Sequence, residues 1–155
     1  MKIRSVRVNN RKRAFEVGTP RGVLTLPLAR AVPPPTRNDP VVWAAVDAEI
    51  GREGFTYRLA SGREGAIHVE QVLEYNQDPT YLRDAILYRL TIEAQKGLER
   101  SPLSRREIVR RLGTSAAQLY RLLDPKNTRK SVDQVLRLLH VLDCYVELVV
   151  RAKSA

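Results

Sequence analysis

A single cysteine, Cys144, leaves no partner for an internal disulfide and fits a reducing compartment. It stands at the head of an apolar run, where a buried, inert thiol is expected. Histidine is nearly as scarce. His68 and His140 have no second histidine or cysteine at ligand spacing, which argues against a zinc site or a Cys-His nucleophile. His68 is expected on a strand face and His140 on a solvated helix flank. No apolar run approaches the length a bilayer requires and no signal peptide is visible, so the expectation is a cytoplasmic protein with no membrane partner. The acid pairs Asp47/Glu49 and Glu70/Glu74 carry no sign of burial and read as solvated faces. The tetrapeptide Gly-Arg-Glu-Gly, at 51–54 and again at 62–65, is followed by no Lys-Ser/Thr and is a turn composition, not a phosphate loop. No catalytic residue, metal or cofactor is expected.

Positive charge is abundant. Lys and Arg number 27 against 17 acids, the pI is near 10.3, and 43% of residues are hydrophobic, so the basic excess belongs on the surface of an ordinary folded core. Such a surface suits a polyanionic partner. The excess lies at the ends: residues 1–37 carry nine basic groups and one acid, 38–79 three and eight, 80–155 fifteen and eight. The run Arg11-Lys12-Arg13 reads as the solvated end of a hairpin.

Along the first half, Ile3–Val8 and Arg13–Val17 alternate apolar with polar across a turn at Asn9-Asn10, and Gly22–Leu28 offers a third extended segment. Three prolines, Pro33–Pro35, then impose a stiff connector. Residues 39–50 are ambiguous. Asp39-Pro40 with Val42, Val46 and Ile50 fits a capped helix, whereas Ala44, Val46, Ala48 and Ile50 also alternate as a strand would. Trp43 is a core anchor on either reading. Phe55, Tyr57 and Leu59 line one strand face, Ala66–Val69 returns after a Ser61-Gly62 turn, and Val72, Leu73 and Tyr75 suggest a short helix. The expectation is an α+β fold whose first domain, residues 1–76, holds a small antiparallel sheet and binds a partner or ligand.

Asp78-Pro79 opens a helix on which Leu82, Ile86 and Leu90 stack until Gly97 and Pro102 end it. Three capping boxes follow, Ser104/Glu107, Ser115/Gln118 and Ser131/Gln134. The first helix keeps Ile108 and Leu112 on one edge and ends at Gly113, the second buries Leu119, Leu122 and Leu123, and the third presents Val132, Val135, Leu136, Leu139 and Leu142. Cys144–Val150 alternates as a final strand whose edge needs a neighbour, either the N-terminal sheet or a symmetry mate.

Apolar residues at 108 and 112, Gly113, and apolar residues at 119 and 122 resemble the helix-turn-helix of the lambda-repressor-like, or Xre, family. The stretch LGTSAAQLYRLLDPKNTRKSVDQVLRLLHVLDCYVEL is similar to a bacterial subgroup of antitoxins and small regulators. Two positions depart from the family pattern, Arg105 where Gln is usual and Val109 where Ala is usual. The run VDAEIGREGFTYRLASGREGAIHVEQVL in the first half resembles an uncharacterised bacterial α+β domain family, which carries no known catalytic residues.

The resemblance implies that residues 77–155 form an all-α DNA-binding domain with a short C-terminal strand, in a transcriptional regulator acting on double-stranded DNA as a homodimer. The subgroup adds a type II antitoxin role, with a toxin protein as partner. A protein-interaction adaptor that has lost DNA binding is the rival. Arg105, Arg106, Lys126 and Lys130 are the expected phosphate contacts, with Thr114 and Ser115 donating at the start of the recognition helix. At about 100° per residue, Ala117 and Arg121 oppose the buried leucines, flanked by Gln118 and Tyr120, with Ala116 at the end that enters the groove first. Gln118 pairs well with adenine, Arg121 with guanine, and alanine methyls with thymine methyls.

Overall fold

The computed structural model describes residues 1–153. It is mixed α+β, with two three-stranded antiparallel sheets and five α-helices, and its contacts divide it into two compact units, Met1–Leu82 and Arg83 onward. The division falls inside the long helix, after Leu82, and not at residue 76.

In the first unit β1 (Ser5–Asn9), β2 (Ala14–Thr19) and β3 (Gly22–Pro27) form one meander. A second consists of β4 (Val41–Val46), β5 (Gly54–Leu59) and β6 (Glu64–His68). The single sheet expected from the sequence is therefore two. They share one core, in which the Phe15 ring lies 5.0 Å from Phe55 and 5.3 Å from Tyr57. Phe55, Tyr57 and Leu59 are wholly buried on one face of β5, as period-two alternation requires. Of the ambiguous stretch, Val41–Val46 is the strand β4, while Ala48 and Ile50, which the strand alternation included, lie in a turn. Asp39, which would have capped a helix there, accepts instead from the Ser61 amide and hydroxyl and from Arg63, pinning the β5–β6 turn. Trp43 is not a core anchor: it is 47% exposed on the pleat, with the Arg58 guanidinium 5.6 Å over its ring. His68 ends β6 and caps α1 (Val69–Tyr75), its Nδ1 accepting from the Glu70 amide at 3.4 Å.

Helix α2 (Pro79–Arg100) starts as its cap predicts. Asp78 accepts from the Tyr81 amide at 2.9 Å, and both its carboxylate oxygens accept from Arg21. The helix runs through Gly97. A Cβ there would meet Cys144 Sγ at 2.9 Å, so this glycine makes room for the chain after the last helix and stops nothing. Its buried stripe is Leu87, Thr91, Ala94 and Gly97, one residue round from the stripe the sequence suggests.

The second unit adds α3 (Arg105–Leu112), α4 (Ala116–Leu123) and α5 (Val132–Val141) to α2. Ile108, Leu119, Leu122, Val135, Leu138, Leu139 and Leu142 fill its core. Leu138, which the sequence reading left off the α5 face, is wholly buried, while Leu136 is exposed. No strand forms at Cys144–Val150. The segment has no ladder partner, and a strand is stabilised by the neighbour that satisfies its backbone, which among the described residues it lacks. No described helix is long and apolar enough to cross a membrane.

Candidate nucleic-acid interface

Gly113 joins α3 to α4. Its φ of 65° and ψ of 36° place it in the left-handed region, its amide and that of Thr114 bond back to Arg110 and Val109 carbonyls, and the chain restarts at once as Ser115 caps α4. The Ser115 hydroxyl accepts from the Gln118 amide at 3.1 Å. Of the three expected capping boxes only Ser131/Gln134 makes both bonds. At Ser104 the reciprocal group is occupied elsewhere: the Glu107 carboxylate accepts from Arg110 and Arg111 and is held down to about pH 2 by those hydrogen bonds.

Burial orients α4. Leu119 and Leu122 are buried and Leu123 packs at the core margin, whereas Ala116, Ala117, Tyr120 and Arg121 are exposed and Gln118 is half-exposed. The result is an amphipathic helix with two methyl groups, a phenol, an amide and a guanidinium on its outer side. Arg105 reaches from α3 to that side. Its guanidinium lies 5.5 Å over the Tyr120 ring and donates to the Tyr120 hydroxyl at 3.0 Å. Arg106, Arg121 and Lys126 are exposed, and among the described residues their side chains make no hydrogen bond or ion pair.

Lys130 is the exception. Expected to reach phosphate, it is 4% exposed, and its Nζ donates to the carbonyls of Leu122 and Asp124, each at 2.8 Å. Burial lowers its pKa. It closes the C-terminus of α4, where helix carbonyls lack intrahelical partners and the dipole favours a cation, so it leaves the set of surface contacts. Three further side chains complete that closure or brace it. Gln95 of α2 donates to the Leu123 carbonyl at 2.8 Å, Asn127 donates to Arg121 at 3.2 Å, and Arg83 donates to the Thr128 carbonyl at 2.8 Å. The carbonyls of residues 121 to 124 are thus each met by a side chain.

No protein-family model, curated protein or solved structure matches this chain. What the site can do follows from its own geometry. Thr114 and Ser115 lie at the positive end of α4, Arg106 and Lys126 offer exposed cations, and the outer α4 face offers donors, acceptors and methyls. One cation missed by the sequence reading is Arg129, exposed next to the buried Lys130. Both stand in one basic loop, and nothing in their identities separates the buried one from the exposed one.

Proposed function

We propose that this chain is a sequence-specific regulator that binds double-stranded DNA through the exposed face of α4, as the Xre resemblance implies. The observation that carries the reading is that face itself. A short helix with its leucines buried presents Ala116, Ala117, Gln118, Tyr120 and Arg121 outward, beside cations that have no partner of their own among the described residues. Methyl, amide and guanidinium groups are the side chains that read base edges, and flanking cations fix register on phosphate. Arg105, Arg106, Arg129 and Lys126 take the phosphate role, Thr114 and Ser115 the helix-start contacts. A homodimer on a two-fold related site supplies the affinity that one short helix lacks. The first unit is assigned partner binding, and the antitoxin reading makes that partner a toxin protein. The test is binding to the DNA upstream of its own gene against unrelated duplex over a range of salt. Specific, salt-dependent binding supports the reading, equal affinity for both duplexes removes sequence specificity from it, and no binding to either leaves the adaptor.

A further inference from the structure

The segment after α5 is unusual for what it leaves in water. Tyr145 is 90% exposed, Leu148 81% and Val150 84%, and Val149 is exposed beside them. Among the described residues, no backbone hydrogen bond engages 145–153. The composition is that of a strand. Cys144, Val146, Leu148, Val150 and Ala152 fall on one side of an extended chain, an entirely apolar row, and Tyr145, Glu147, Val149, Arg151 and Lys153 fall on the other. The apolar row starts at a groove of about 890 Å³ in the second unit, lined by Ile86 and Leu90 of α2, by Val132, Leu136 and Leu139 of α5, and by the segment itself. Ile86 and Leu136, on the two helices, are 43% and 39% exposed there.

We propose that this segment pairs antiparallel with the same segment of a second copy of the chain, forming a two-stranded ribbon whose apolar side covers the α2–α5 grooves of both copies. The proposal rests on the homodimer in the functional reading and names its surface; it needs no DNA. Charge favours a second copy as the partner and disfavours a register that sets like charges together. A two-fold axis normal to the ribbon keeps like rows on one side. Centred on Val149, it sets Glu147 opposite Arg151 of the second copy, and symmetry makes that pair twice. Leu148 then opposes Val150, and Val146 opposes Ala152. Centred on Glu147, the same axis would stack two carboxylates face to face, which is unfavourable. A chain unrelated to this one would have to reproduce the alternation and the charge order, whereas a second copy carries both.

The test is the molar mass of the full chain, without DNA, by sedimentation over a micromolar concentration series. Wild type is expected as a dimer. Glu147→Arg and Arg151→Glu each turn two attractive pairs into repulsive ones and should weaken the dimer roughly tenfold or more. Mixed one to one, the two variants should recover it, since each then meets its opposite. Both positions are in solvent, and circular dichroism checks that the fold is kept. In a Cys144→Ser background, Val149→Cys should cross-link two copies on mild oxidation, because the axis places that position against itself. A monomeric wild type overturns the proposal, as does a dimer indifferent to both charge reversals and their mixture, or one that Val149→Cys fails to cross-link. A tail-paired dimer that ignores DNA would sink the regulator reading and leave this one standing. A monomer that binds operator DNA would do the reverse.

Discussion

Arg105 and Tyr120 hold α3 to α4 through one guanidinium, which lies over the ring at 5.5 Å and donates to the hydroxyl at 3.0 Å. Arginine stands here where glutamine is usual in the resembled family, and the longer, cationic side chain can reach across to the phenol. The pair is exposed, so its worth to stability is small, roughly 0.5–1 kcal/mol. Its larger effect is to fix where the charge sits. Arg105→Ala should weaken binding to specific and unrelated duplex alike and make the log-log salt slope shallower by about one unit. Tyr120→Phe removes the hydroxyl and keeps the ring, and should leave the slope within error. Fluorescence anisotropy titrations from low to moderate salt check both.

Lys130 and Lys126 should separate cleanly. Lys130→Met leaves two helix-end carbonyls without their donor and is expected to cost about 1–3 kcal/mol in chemical denaturation. Lys126→Ala should cost almost nothing in stability and shift only the salt dependence of DNA binding. The pH dependence has a definite sign. Burial holds the folded pKa of Lys130 below its ordinary 10.5, so the folded state binds fewer protons across that interval and the group's contribution to stability rises as pH climbs through it. The gap between wild type and Lys130→Met should therefore widen toward alkaline pH, as long as the neutral amine keeps donating to both carbonyls.

Glu107 titrates in the opposite sense. Hydrogen bonds from Arg110 and Arg111 bring its folded pKa from 4.5 to about 2. Its stabilisation is complete above the unfolded value and is lost as pH falls from about 4.5 toward 2. Thermal unfolding followed in that range should show Glu107→Gln losing less with acid than wild type does, and added salt should shrink the difference because the cluster faces solvent.

Base readout should divide between two side chains. Gln118→Ala and Arg121→Ala are each expected to cost roughly 1–3 kcal/mol on the preferred site and to relax preference at one base position. Selection from a randomised duplex pool measures this. If both variants keep the wild-type preference, readout passes to Ala116, Ala117 and Tyr120.

Local signals were the legible ones. A serine three residues ahead of its amide partner, a glycine after the last leucine of α3, and alternating Phe55, Tyr57 and Leu59 each declare themselves within a single turn or strand. Residues 41–46 did not, because Val42, Val46 and Ile50 satisfy helical spacing while Ala44 and Val46 satisfy strand spacing, and only pairing with β5 decides. The exposure of Trp43 is hidden for the same reason, since which face of a strand is inward depends on the sheet it joins. Lys130 is illegible in the same way, because a cation in a basic loop looks solvated until the loop's path brings it under a helix end. The stripe of α2 was read one position off, and Ile86, which it included, lies in the open groove, half-exposed.

The closure at the end of α4 has a consequence for how this chain can change. Asn127 and Lys130 reach back to carbonyls at 121, 122 and 124 from one short loop, and Arg83 holds the same loop at Thr128. One inserted residue moves everything beyond it by up to about 3.8 Å, more than the length of either lysine bond. The loop can exchange its exposed side chains, as at Lys126 and Arg129, but it cannot change length. Any related chain that keeps the α4 pose should hold the interval from Leu122 to the buried lysine fixed, while the letters between drift.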